Sequence, residues 1–334
     1  MKKSLFVGSV AALSLAAGAA QAQTEIVLSG QVTPVLLFGG DVEDPEIADN
    51  TGTGSRVRLR GKTVLNDALT GFMRYEIQFQ ENQSFGALDG SESIDTRYAE
   101  VGVRGSFGSI SLGKGDGAAN NTGEGSYQVS GNILGGGHLP FFATRGVLNR
   151  DNDANVLYTQ FDVFSRNSRL RYDAPTFGGL ALSASLTNNS DVEFAARFKR
   201  DVGPGKLTLL FGIGERDDDA GQDRLAISGG YKFDFGLSFA GSFETAEVDD
   251  GSAPDLESSL LSLNYSFGKA VASIDFGASG EDRENTVIQA GAEYHFSKHL
   301  DLYGGISSYT NEEANADGSD QDLTALFTGF RYKY

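Results

Sequence analysis

From residue 26 onward the chain is a succession of short stretches in which apolar and polar side chains alternate, joined by connections of two unequal kinds. Sixteen stretches can be traced. They lie at 26–38, 55–65, 70–81, 96–105, 109–114, 167–174, 180–187, 192–201, 206–215, 224–233, 236–246, 258–267, 270–280, 286–296, 301–310 and 323–334. Leu207, Leu209, Phe211 and Ile213 show the period of two expected of a strand with one apolar face, as do Leu237, Phe239 and Phe243. Short connections at 66–68, 203–205, 234–235 and 268–269 alternate with long ones. The long ones hold nearly every acidic run, at 41–49, 89–95, 217–223, 247–257, 281–284 and 312–322. If strand direction alternates, all six runs fall on one rim. A soluble sandwich has no reason to sort its loops in this way. A transmembrane barrel does, with short turns at one end and long loops at the other. The predicted fold is an all-β, antiparallel transmembrane barrel of 16 strands.

The N-terminus assigns the compartment. Lys2 and Lys3 precede an apolar run at 5–20, and Ala20-Gln21-Ala22 supplies small residues at a cleavage site. These are the three regions of a secretory signal peptide, so 1–22 is expected to be removed and 23–334 to form a single barrel domain. No later run approaches the ~20 apolar residues of a membrane helix. There is no cysteine, which excludes disulfides and thiolate metal sites. Without the signal lysines, 25 basic residues face 45 acidic ones. A surface of that sign does not bind nucleic acid.

Four stretches carry a family likeness. They are the run Glu25-Ile26-Val27-Leu28-Ser29-Gly30; the pair Thr96-Arg97-Tyr98-Ala99-Glu100-Val101-Gly102-Val103 and Phe107-Gly108-Ser109-Ile110-Ser111-Leu112-Gly113-Lys114; the hairpin Asn167-Ser168-Arg169-Leu170-Arg171-Tyr172-Asp173-Ala174-Pro175 with Phe177-Gly178-Gly179-Leu180; and a last strand ending in an aromatic residue. In this order and spacing the chain resembles the general porins of Gram-negative bacteria, notably those of alphaproteobacteria. The resemblance implies a homotrimer in the outer membrane, in contact with lipid and lipopolysaccharide. Each subunit would hold a water-filled channel for passive diffusion of ions and small hydrophilic solutes. It also implies that the third external loop, here 115–166, folds into the lumen and narrows it.

The lumen face can be read from the alternation. In the second stretch Val57 and Leu59 lie on one face, and Arg56, Arg58, Arg60 and Lys62 on the other. A cation facing lipid near the midplane costs ~2–4 kcal/mol, so this row points inward. Arg74 shares its parity with Glu76, Gln78 and Gln80, while Arg169 and Arg171 alternate with Leu170 and Tyr172. Arg97 falls on the apolar parity and joins the basic wall on resemblance alone. Asp116 and Glu124 in the loop are expected to oppose this wall across a narrow gap, creating a transverse field. Rim acids concentrate cations at the mouth within a screening length of ~8 Å, which favours a weak cation preference. In the last strand Leu326, Phe330, Tyr332 and Tyr334 face lipid, and Arg331 and Lys333 take the other side.

The remaining constellations are weaker. The run 217–223 has the oxygen density of a loose Ca²⁺ site but lacks the loop of an EF-hand; beyond such loosely bound Ca²⁺, no cofactor is implied. His138 stands alone, and His295 and His299 lie at a strand end and turn, so no metal centre is expected. No serine sits in a nucleophile elbow with a histidine near it, and no enzyme is expected. The closest rival function is a substrate-specific channel, followed by a non-conducting structural or enzymatic barrel.

Overall fold

The structure is a computed structural model. It describes residues 24–40, 42–50, 53–81, 92–130, 161–188, 190–216, 222–248, 255–280, 285–311 and 321–334. The signal segment 1–22 and residue 23 therefore lie outside the described residues. In chain order the first strands are β1 (Thr24–Val32), β2 (Pro34–Gly39), β3 (Val42–Asp49), β4 (Ser55–Asn66), β5 (Leu69–Glu81), β6 (Glu92–Gly105) and β7 (Gly108–Asp116). Helix α1 (Gly125–Ser130) follows. Next come β8 (Arg166–Asp173), β9 (Leu180–Thr187), β10 (Val192–Asp201), β11 (Gly205–Glu215), β12 (Gln222–Phe233) and β13 (Leu237–Val248). The wall ends with β14 (Leu256–Phe267), β15 (Ala270–Gly280), β16 (Asn285–His295), β17 (Leu300–Asn311) and β18 (Gln321–Lys333).

These segments form one closed antiparallel sheet. Two barrel strands are each interrupted once, so the barrel has sixteen. β1 and β2 continue one another across Thr33, and both pair with β18 in one register. Their other edge pairs with β4 below the break and β3 above it. Pro34 cannot donate to the ladder, and the break is closed by side chains. The buried Asp49 carboxylate accepts from the Ser55 hydroxyl, from the Ser55 N–H at 3.2 Å and from the Thr33 hydroxyl at 3.3 Å. The acidic run 41–49 is thus mostly the strand β3 rather than a loop. An expectation based on charge failed there because acids on a strand near the rim still reach water.

The barrel closes at its last residue. The Gly30 N–H donates to the Tyr334 carbonyl at 3.0 Å, and the Tyr334 N–H returns a bond to the Gly30 carbonyl at 3.1 Å. Phe330, Tyr332 and Tyr334 are exposed on the outer face with Ile26, Leu28, Leu261 and Ile274, among many others. Aromatic rings gather at the short-turn end of the outer face, where Tyr231–Phe233, Tyr265–Phe267 and Tyr294–Phe296 have centroids 4.8, 5.7 and 4.8 Å apart. This is the girdle of a barrel in lipid. The inner face is polar, and its apolar cluster (Ala119, Val163, Phe164 and Ala226) lies where the two described ends of the 115–166 loop meet the wall.

Candidate functional site

The basic wall is built by register. Across β4, β5 and β6, Arg58 stands opposite Glu76 and Glu76 opposite Tyr98; Arg60 stands opposite Arg74 and Arg74 opposite Glu100. All six therefore point into the lumen. The fully buried Glu76 carboxylate is the hub. It accepts from Arg56 Nη1 at 3.3 Å, Arg74 Nη2 at 2.8 Å and Arg97 Nε at 3.1 Å, and also from Arg58 Nε. The Arg74 guanidinium lies 3.2 Å from the centroid of the Tyr98 ring, a cation–π contact.

Arg97 reaches this hub because β6 is bulged. The register shifts between Glu76 and Ile77, which leaves Arg97 as the extra residue between Thr96 and Tyr98. A bulge turns a side chain that simple alternation would place outside. Arg97 then bonds Gln78 Oε1 as well as Glu76. The inward placement taken from resemblance is what the backbone delivers, against the parity of Ala99, Val101 and Val103.

Arg169 and Arg171 point inward from β8, as their alternation predicted, and both are engaged by the loop. Arg169 is 4 % exposed. Its Nε donates to the Asp116 carbonyl at 2.8 Å, its Nη1 to the Gly113 carbonyl at 3.2 Å and its Nη2 to Glu100 at 2.5 Å. Arg171 pairs with Asp173 at 2.7 Å and donates to the Gly117 carbonyl at 2.8 Å. Arg197, on β10, continues the series with Nη2 on the Ala118 and Asn120 carbonyls at 2.7 and 2.8 Å. Three guanidiniums thus grip the start of the loop by its carbonyls.

Wall acceptors take the loop's N–H groups. The Ala119 N–H donates to Glu193 at 2.7 Å, the Ala118 N–H to the Ser185 hydroxyl at 2.8 Å and the Gly125 N–H to the Ser242 hydroxyl at 3.1 Å. The Ser228 hydroxyl bonds the Thr122 carbonyl. The returning end is joined to the outgoing one by the Gly123 N–H on the Phe161 carbonyl at 3.2 Å. Residues 116–130 and 161–165 therefore lie inside the barrel, and α1 packs against β11, β12 and β13. Loop residues 131–160 are outside the described residues.

Neither predicted loop acid stands free across a gap. Asp116 ends β7 on the side of the basic wall, with Arg166 3.6 Å away. Glu124, the residue before α1, is 4 % exposed. Their expected role as an opposing acidic edge is corrected accordingly: a loop this tightly clamped turns its acids into packing. Arg60 and Lys62 do point into the lumen, exposed to water. Three functional groups were missed from the sequence: Glu76 as hub, the Arg197–Glu193 pair as clamp, and Arg224 with Glu244 at 3.3 Å. The inward parity of Glu193, Arg197 and Lys199 against Phe194, Ala196 and Phe198 was a signal that could have found the clamp.

At the short-turn end, His295 Nδ1 lies 2.9 Å from Asp301 and 3.7 Å from Glu293. The two carboxylates are already held by Arg331 at 2.7 and 3.0 Å, and Asp301 also by Lys333 at 2.7 Å. The cluster thus has its own cations and needs no metal to balance it. His138 and residues 217–221 of the acidic run lie outside the described residues.

A closed sheet with an apolar band outside, charge inside and a long loop clamped within its lumen defines a transmembrane β-barrel of the outer-membrane type. The chain belongs to the Gram-negative porin family, whose family model matches residues 9–314. It is 36% identical over 131 residues to outer membrane protein U of Vibrio parahaemolyticus, covering 35% of this chain and 36% of the relative. The match thus spans about a third of that protein. To the major outer membrane protein P.IB of Neisseria sicca it is 24% identical over 394 residues and the full length of both. The anion-selective porin of Comamonas acidovorans has the same fold. The TM-score is 0.67 at 17% identity, over 93% of this chain and 100% of that one.

Proposed function

We propose that the chain forms an outer-membrane channel for passive diffusion of ions and small hydrophilic solutes, with no catalytic step, assembled as a homotrimer in contact with lipid and lipopolysaccharide. The observation that carries it is the loop held inside a polar-lined barrel beside a basic wall. In this reading Arg56, Arg58, Arg60, Lys62, Arg74 and Arg97 line the narrow part, and Arg169 and Arg171 position the loop there through its carbonyls.

The channel prefers anions. The wall's guanidiniums keep contact with water: the side chains of Arg56, Arg58, Arg74 and Arg97 are 16, 21, 26 and 18% exposed. Five inner-wall acids are dry, with Glu193, Glu244, Asp275, Glu293 and Asp301 all at or below 1%, and two that keep more exposure, Asp116 and Asp173, are paired with Arg166 and Arg171. An ion in the lumen therefore meets the cations first. This is the reverse of the weak cation preference inferred from the sequence, which rested on acidic rim loops concentrating cations at the mouth. Purified protein added to a planar bilayer tests the proposal. Stepwise conductance in groups of three, with a reversal potential favouring chloride under a KCl gradient, is the expected result. Silence would remove the channel, and a potassium-favouring potential would remove the anion preference.

A further inference from the structure

Resting on the channel reading above, we propose that the basic wall, through Arg60 and Lys62 of the same lining, continues below the Glu76 hub into a docking site for small aromatic carboxylates. Toward the short-turn end, β4, β5 and β6 enclose a recess of about 510 Å³ bounded by Arg60, Lys62, Phe72, Arg104, Glu25 and Glu100. That volume is in the range of small-molecule sites. The register puts Lys62 opposite Phe72 and Phe72 opposite Gly102, so all three lie on the lumen face.

The charge of the recess is unbalanced. Among the described residues Arg60, Lys62 and Arg104 have no carboxylate within 4.0 Å, in contrast to the four arginines on Glu76. Glu100 is committed to Arg169 at 2.5 Å. Glu25 faces Lys62 in register without forming an ion pair with it. Three cations thus meet one uncommitted carboxylate, and the recess has room for an added anion.

The aromatic preference follows from Phe72. Phe72 lies on the lumen side, where alternation calls for a polar residue; unlike the inward Phe327, which is buried, it is half-buried and lines the recess. The tip of its ring occupies the space left by Gly102, where a Cβ would stand 2.3 Å from Phe72 Cζ. The Arg104 guanidinium sits 4.6 Å from the ring centroid. With the Arg104 guanidinium over the Phe72 ring, the outer face of that planar cation and the ring edge offer a stacking surface, and Arg60 and the neighbouring Lys62 in the same lining are placed to meet a carboxylate. Benzoate has both features; acetate has only the charge.

The test is binding to the full-length protein in detergent, followed by saturation-transfer NMR titration with benzoate and with acetate. Benzoate is expected to bind in the range of ~1 mM and at least about fivefold more tightly than acetate, as ring stacking would give. Arg104→Gln and Lys62→Gln should each weaken benzoate about fivefold, the scale of one charge-assisted contact. Phe72→Leu, which keeps the bulk, should erase the preference for benzoate over acetate. Arg58→Gln at the hub should leave it intact, and each variant's folding is checked by its heat-dependent gel mobility. Equal binding of the two acids, or a benzoate affinity untouched by Arg104→Gln and Phe72→Leu, overturns the site. Conductance is measured separately. A conducting channel without benzoate preference defeats this inference and leaves the channel standing, whereas benzoate binding to a silent protein does the reverse.

Discussion

Glu76 stabilises the site in proportion to the number of cations it serves. Four guanidiniums converge on a carboxylate that has no exposure of its own. Removing one partner of a buried ionic cluster strands the others and costs roughly 3–5 kcal/mol. Glu76→Gln keeps the shape and removes the charge, so the four arginines repel one another without a centre. The barrel should then melt at a lower temperature, read as an earlier heat-induced mobility shift on a gel. An unchanged midpoint would show that water, not Glu76, balances these arginines. Arg97→Gln leaves the hub with three cations and should be milder, about 1 kcal/mol, read in the same assay. The row of Arg56, Arg58, Arg60 and Lys62 was legible because β4 keeps a strict period of two between Val57 and Leu59. Arg97 was not, because a bulge is a backbone event that leaves no mark in hydropathy.

At the level of elements, the loop is held by contacts scattered over β8 to β13, most of them to its backbone. Arg197 alone occupies two carbonyls, and hydrogen bonds to charged donors contribute about 1.5–3 kcal/mol each. Arg197→Gln should loosen the loop without opening the barrel. The expected signature is greater open-channel noise and faster tryptic cleavage within the loop, at an unchanged melting midpoint. A quiet channel with a protected loop would mean that Glu193, Ser185 and Ser242 suffice. Gly212 offers a steric version of the same test. Its missing side chain makes room for the loop, for a Cβ there would stand 2.1 Å from Thr122 Oγ1 and 2.9 Å from the Ala119 Cβ. Gly212→Val should push the loop off the β11 wall and change the single-channel conductance; a conductance equal to wild type would place the loop's hold elsewhere. Strand positions were readable from period, and the inward loop from the family resemblance. The seat was not, since its partners are serines, arginines, a glutamate and a glycine spread over the six strands β8 to β13, each unremarkable in its own segment. The strand β3 hid for a similar reason: Asp44, Glu46 and Asp49 suggest a loop by charge, and only the Thr33–Asp49–Ser55 knot shows why the chain pairs there.

For the whole molecule, ion preference is a contest between charge that water reaches and charge that it does not. The chain carries a formal net charge of −18, yet much of the inner-wall acid is buried and engaged by serine, arginine or lysine partners. Rim acids act over a screening length of ~8 Å at physiological salt and ~3 Å at 1 M, so their pull on cations fades as salt rises. The wall around Glu76 lies in a confined passage where low-dielectric walls hold the field together. Anion preference should therefore persist as salt is raised, while any contribution from the rim disappears. The triple variant R56Q/R58Q/R97Q removes three of the wall's cations and leaves the acidic rim intact. Its reversal potential under a tenfold KCl gradient should move toward potassium, and the shift should be largest at low salt, where the rim acts unopposed. If the triple variant keeps the wild-type potential at every salt concentration, the selecting charge lies outside this wall, and the division between wet cations and dry acids does not govern passage.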